Sequence, residues 1–247
     1  MKVAINQPSY LPWLGYFDLI DQVDLFVFLD NVQFEKQSWQ QRNRIKTPAG
    51  LQWLTVPVKF RGRLGQLIQE VEIRDPEFWR GHLRAIELAY RRSAHFAKFF
   101  PELKQILEHG NSDLLLDLNL SLLQWLMRVL QITTPLVRAS SLGQSGKRTE
   151  LLANICGAVG ANEYVSPLGS ASYLLAEQEI LRSRGVEIFF QNYEHPSYSQ
   201  MFSFFEPFAS VIDLIFNEGD RALEILRSGR RERLSEQQVS IALAHAG

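Results

Sequence analysis

Val3-Ala4-Ile5-Asn6-Gln7-Pro8, then Pro12-Trp13-Leu14-Gly15-Tyr16-Phe17-Asp18-Leu19-Ile20, then Leu25-Phe26-Val27-Phe28-Leu29-Asp30-Asn31 is the stretch whose reading decides the fold. Val3 to Asn6 favours an extended strand, and Gln7-Pro8 stops it because proline has no amide to give a ladder. Trp13 to Ile20 carries apolar side chains at helical spacing. Leu25 to Leu29 is too short and too continuously apolar for a surface helix, so it suits a strand buried on both faces. Strand, loop, helix and strand in this order make a parallel pair joined by a crossover.

The same rhythm returns further along the chain. Leu136-Val137 reads as a strand, Lys147 to Ala161 as a helix, and Tyr164-Val165-Ser166 as a strand. Tyr173 to Arg184 reads as one helix closed by Gly185, before the buried strand Val186-Glu187-Ile188-Phe189-Phe190. Trp53 to Val58 and Val71 to Ile73 read as a hairpin turning at Arg61-Gly62-Arg63, with Pro57 at an edge or bulge. From Asp75 to Ile132 the pattern is helical, opened by Asp75-Pro76-Glu77. The expectation is an α/β fold: a Rossmann-like, mainly parallel sheet with helices on both faces, plus a β-hairpin and a helical insertion. Residues 1–74 and 133–229 would form one discontinuous core domain, 75–132 the insertion, and 230–247 a polar tail or terminal helix.

Composition narrows the function. The chain has 247 residues, 46% hydrophobic, enough for a full-sized core. A formal charge of -1 gives no overall attraction to nucleic acid or to a membrane surface, so no DNA partner is expected and any anion site must be local. No segment offers the roughly 18 uncharged apolar residues of a membrane span, and the N-terminus lacks a signal-peptide core. With Cys156 as the single cysteine, no intramolecular disulfide can form, and a reducing cytoplasmic setting is expected.

In an open parallel sheet the ligand crevice lies beyond the carboxyl ends of the strands. There the sequence places Gln7, Tyr10 and Trp13, then Asp30, Asn31 and Gln33, then Ser166, and finally Gln191, Asn192, Tyr193 and His195. Between Glu35 and Arg63 seven basic residues face one acid, a local excess of +6. Arg42-Asn43-Arg44 suits phosphate or carboxylate, because a planar guanidinium can grip either with two parallel bonds. Phe34, Trp39 and Trp53 lie among these bases and are able to stack a ring, or to serve as core. His195-Pro196-x-Tyr198-x-Gln200 joins an acid/base group to two hydrogen-bonding partners just after a buried strand. The other histidines, His82, His95, His109 and His245, read as helix-surface, helix-end or tail residues. Cys156 reads as a buried structural thiol, and no spacing of His, Cys or acids marks a metal site. Gly143-Gln144-Ser145-Gly146-Lys147 has the flavour of a phosphate loop without its spacing.

Several of these motifs, in order, resemble the WbqC-like family. They are Gln7-Pro8-Ser9-Tyr10-Leu11-Pro12-Trp13-Leu14-Gly15-Tyr16-Phe17, Leu29-Asp30-Asn31-Val32-Gln33-Phe34, Arg42-Asn43-Arg44-Ile45-Lys46, Trp53-Leu54-Thr55-Val56-Pro57, Tyr193-Glu194-His195-Pro196-x-Tyr198-x-Gln200 and Phe208 to Gly219. The resemblance implies a bacterial protein of O-antigen, other glycan or natural-product biosynthesis, with a suggested role in attaching an amino acid such as glycine to an amino sugar. The opening is also similar to the adenylate-forming nucleotidyltransferases, particularly pantothenate synthetase. Their His-x-Gly-His motif is replaced here, with Trp13 and Tyr16 standing where the histidines would be.

The function expected on these grounds is an amide-forming transferase or ligase acting on an amino sugar, with an anionic substrate such as a nucleotide or sugar nucleotide. Arg42, Arg44 and Lys46 would hold phosphates; Gln7, Tyr10, Trp13, Asp30, Asn43 and Ser166 would position the substrate. His195, with Tyr198 and Gln200, would handle the proton. ATP and magnesium are required if the acyl donor is a free acid, and not if it arrives as a preformed thioester or an aminoacyl-tRNA. A nucleotidyltransferase acting on a phosphorylated acceptor and a non-catalytic ligand-binding protein are the alternatives. The oligomeric state is not set by the sequence.

Overall fold

The computed structural model describes residues 1–110 and 112–246. Its first unit is β1 (Lys2–Asn6), α1 (Leu14–Asp21) and β2 (Leu25–Phe28). The two strands pair in parallel, with Val3 opposite Leu25 and Asn6 opposite Phe28. A hairpin follows, β3 (Arg42–Thr47) and β4 (Gly50–Thr55), then three helices, α2 (Phe78–Tyr90), α3 (Phe96–Glu108) and α4 (Leu115–Val129). The α/β pattern resumes with β5 (Leu136–Arg138), α5 (Thr149–Val159), β6 (Glu163–Ser166), α6 (Ala171–Ala176), α7 (Gln178–Arg182) and β7 (Glu187–Phe190). After a long irregular segment come α8 (Val211–Glu218), α9 (Ala222–Ser228), β8 (Leu234–Ser235) and α10 (Glu236–Ala246).

Six strands form the sheet in the order β5-β2-β1-β6-β7-β8, all parallel except β8, which pairs antiparallel with β7 at one edge. Alternation along each strand sorts side chains to the two faces. Val3 and Ile5, Val27, Tyr164, Ile188 and Phe190 join one buried cluster with α5, α6, α7 and α10. Ala4, Phe26, Phe28 and Val165 join the other with α1, α8, α9 and the three helices α2 to α4. Helices therefore cover both faces, which is why the strands carry apolar residues at consecutive positions. The fold is α/β and Rossmann-like.

Two local expectations are corrected. The hairpin is not Trp53–Val58 with Val71–Ile73: β3 pairs with β4 from Arg42–Thr55 to Thr47–Gly50, through a turn containing Pro48 and closed by Gly50 at φ 97°. Val58 and Ile73 meet only in an isolated bridge, beside Pro57, which has no amide to extend it. The single helix expected over 173–184 is two short ones, α6 and α7. They are broken at Glu177, whose carboxylate takes the Thr149 hydroxyl and faces Arg148.

Candidate functional site

From β1 the chain passes to β2 on one side, and it reaches β6 on the other side only after visiting β5 at the far edge. The carboxyl ends of β1 and β6 are thus the topological switch point, where an open parallel sheet leaves a crevice. A cavity of about 360 Å³ opens beside the end of β1, lined by Asn6, Gln7 and Trp13, by Glu35 and Trp39 of the β2–β3 connection, and by Asn43 and Arg44 of β3. Phe208, Gln40, Tyr16, Ser9, Pro12 and Ser38 complete the lining.

The cleft has a fixed polar floor. Gln40 donates its Nε2 to Gln7 Oε1 at 2.8 Å and accepts the Glu35 amide at 3.3 Å, while the Tyr16 hydroxyl donates to the Gln7 carbonyl at 2.9 Å. Asn43 donates to the Tyr10 carbonyl at 3.3 Å and accepts the Arg44 amide at 2.8 Å, which ties the hairpin to the loop after β1. Arg44 is the notable group. Its guanidinium lies 5.6 Å from the centre of Trp39 and 5.4 Å from that of Trp53, its Nε is buried without an acceptor, and no carboxylate pairs with it among the described residues. A buried N–H with no partner is costly unless something supplies an acceptor. Among the described residues, Glu35 is the one acid that lines the cleft.

Of the residues singled out by sequence, Gln7, Trp13, Trp39, Asn43 and Arg44 meet at this cavity. Arg42 stands beside it, stacked 4.2 Å over Trp53. The others lie elsewhere, each for a visible reason. Tyr10 is fully buried and bonds His82 Nδ1 at 2.8 Å, so it faces the core. Asp30 is fully buried with its carboxylate taken by Arg138 Nε at 2.7 Å and by the amide and hydroxyl of Ser140 at 2.8 and 2.7 Å. Lys46 is buried with its ammonium on the Phe204 carbonyl, beside the Asp213 carboxylate, and holds no open phosphate position. Ser166 is buried on Ser170. Tyr198 and Gln200 both bond Asp213 Oδ2, at 2.8 and 2.9 Å, and Gln200 exchanges two bonds with Glu206. Burial raises the Asp213 pKa above the usual carboxylate range, and the Tyr198 hydroxyl pulls it back.

His195 does not line the cavity. It stacks at 6.1 Å on Trp13 and packs at 5.2 Å against Phe208, both of which do. Its Nδ1 donates to the Pro196 carbonyl at 2.9 Å, leaving Nε2 buried and unpartnered. Burial lowers its pKa from the ordinary histidine value, and the Pro196 bond opposes this.

Asp30 is therefore expected to act as a brace between β2 and β5. Asp30→Ala strands the part-buried Ser140 amide and leaves Arg138 without its carboxylate, and should cost about 2 kcal/mol of stability, measured by urea unfolding, with ligand affinity at the cleft unchanged. Lost affinity in a stably folded variant would return Asp30 to the site.

Among the lining residues missed by sequence reading are Glu35, Ser38, Gln40 and Phe208. Glu35 was visible as the one acid in the basic segment, whereas nothing in the pattern brings Phe208 across to β3. Among the described residues no three His, Cys, Asp or Glu side chains cluster as a metal set, and no helix is long and apolar enough to cross a membrane. No solved structure matches the chain. It is similar to the uncharacterized protein Rv1507c of Mycobacterium tuberculosis, 40% identical over 232 residues that span 93% of this chain and 99% of that protein. The family model of the WbqC-like proteins matches residues 7–225, from the first cleft residue after β1 to within α9. With that match running through every segment that lines the cavity past Asn6, the chain belongs to the WbqC-like protein family.

Proposed function

We propose that this chain is an amide-forming transferase whose cleft holds an anionic amino sugar, most simply one linked to a nucleotide, and passes an acyl or aminoacyl group to its amine. The observation that supports the reading is Arg44, a half-buried guanidinium with no counter-ion, placed beside Trp39 over a polar floor that carries a single carboxylate. Arg44, with Arg42 at the margin, would grip phosphate; Trp39 offers an aromatic face to a ring; Gln7 and Asn43 orient the sugar.

In the transfer, the amine nitrogen adds to the acyl carbonyl, the leaving group departs with its bonding pair, and the amine gives up a proton. Glu35 is the acceptor proposed for that proton, since it is the acid inside the cleft. His195 is the second candidate, favoured by its free Nε2 behind Trp13 and Phe208.

Mass spectrometry of mixtures of the protein, nucleotide-linked amino sugars and either thioesters or free acids with ATP and magnesium tests the reading by the amide product. Glu35→Gln should lower turnover about 100-fold or more with sugar-nucleotide affinity retained. Loss in His195→Ala with Glu35→Gln unaffected would move the proton transfer to His195. Pyrophosphate release that requires a phosphorylated acceptor and no amine would replace amide formation by nucleotidyl transfer.

A further inference from the structure

Around the mouth of the cleft, cations and exposed apolar side chains are interleaved. Lys36, Arg42, Arg44 and Arg61 have no ion pair among the described residues, whereas the neighbouring Lys59 and Arg63 are both taken by Glu72. Between them stand Trp39 and Trp53, each more than two-fifths exposed and 5.4 Å apart. Two loop tips project further. Leu64 is fully exposed in the loop that pairs with the Gln33–Phe34 segment, and Phe204 is 86% exposed in the loop fastened to β3 through Lys46 and through the Ser210 amide on the Arg44 carbonyl.

Two observations separate this arrangement from scattered surface residues. Phe202, Phe204 and Phe208 all have positive φ, 70°, 69° and 62°, a conformation that a bulky side chain adopts only at a cost. The fold thus bears backbone strain while Phe204 and Phe202 face outward. Moreover, the segment from Glu35 to Arg63 sets seven basic residues against one acid although the molecule as a whole carries a charge of -1, so this face has a local positive excess, while cations without an ion pair among the described residues, such as Arg84, Arg91 and Arg92, also stand elsewhere.

We infer that this face docks the protein on an anionic lipid bilayer, with Leu64 and Phe204 entering the headgroup boundary, Trp39 and Trp53 at the interface, and Lys36, Arg42 and Arg61 on lipid phosphates and carboxylates. Tryptophan prefers the headgroup level, apolar tips add burial, and cations near an anionic leaflet add attraction. Trp39, which lines the cleft, packs against Trp53 of this face, so a docked molecule would hold its site close to the membrane surface. This association is peripheral and uses no spanning helix. It does not depend on the reaction proposed above.

The test is co-sedimentation of the full chain with vesicles of phosphatidylcholine, alone or with about one-third phosphatidylserine, at about 0.1 M salt. The anionic vesicles should bind at least about tenfold more protein than the zwitterionic ones, since each basic residue near such a surface contributes roughly fivefold. Leu64→Glu combined with Phe204→Asn should reduce binding about tenfold. Neither side chain lines the cavity, and asparagine tolerates the left-handed backbone at position 204. Thermal unfolding and sugar-nucleotide affinity of this variant should match the parent. No sedimentation with anionic vesicles, or equal sedimentation of parent and variant, overturns the proposal. So does self-association in sedimentation equilibrium that the double variant abolishes, because the surface would then belong to a second copy.

Discussion

Lowering the pH from 7 to about 4 is expected to remove about 3 kcal/mol of folding stability through His82 alone. The imidazole is buried on α2, where Nε2 donates to the Thr55 carbonyl at 3.2 Å and Nδ1 accepts the Tyr10 hydroxyl at 2.8 Å. Both bonds suit the neutral ring with its proton on Nε2, and burial lowers the pKa from 6.5 to about 4. The unfolded chain takes up its proton near pH 6.5 while the native protein resists until about 4. Stability from this group is complete above 6.5, falls as the pH drops through that window, and levels off below it. At about 1.36 kcal/mol for each unit of pKa difference, the loss is about 3 kcal/mol. Urea unfolding of the parent and of His82→Gln at several pH values measures it: the variant should lose that part of the slope, and parallel slopes would show that His82 does not titrate in this way.

Gly15→Ala should destabilise by about 1–3 kcal/mol and disturb the cleft at the same time. A Cβ at this position would lie 2.3 Å from two atoms of the Trp13 indole, which folds back over the Gly15 backbone. The ring has little room to yield, because Tyr193, His195 and Phe208 pack around it at 5.4 to 6.1 Å between centroids. The added methyl therefore drives Trp13 out of the wall that it forms. A lowered Tm, altered near-ultraviolet dichroism and weaker ligand binding are expected together, and an unchanged tryptophan signal would contradict the contact.

The α/β core was legible in the sequence because strands buried on both faces are continuous apolar runs, as in Leu25 to Leu29, and because Gly185 marks the end of a helix before the last such run. The hairpin was misread for a physical reason. Arg42 to Lys46 alternates charged and buried positions, with Asn43 and Ile45 inward, so its strand character was hidden under its charge. Helical spacing alone places His82 on a surface, because it does not reveal that Tyr10 and Thr55 meet it from 72 and 27 residues away. Part of the site was legible because Gln7, Trp13, Asn43 and Arg44 belong to short motifs beside strand ends. Asp30, Lys46, Tyr198 and Gln200 have equally suggestive chemistry, yet Arg138, Phe204 and Asp213, all distant in sequence, satisfy them internally.

Under the proposed function, the cleft at the end of β1 binds an anionic ligand through Arg44. Calorimetric titration of the parent and of Arg44→Ala with a nucleotide-linked amino sugar tests it most directly. Loss of charge-assisted bonds from a half-buried guanidinium is worth about 1.5–3 kcal/mol, so the variant should bind roughly 10- to 100-fold more weakly. Saturable binding by the parent with that loss in the variant is the predicted result; no binding by the parent, or equal affinity in the two proteins, would contradict it.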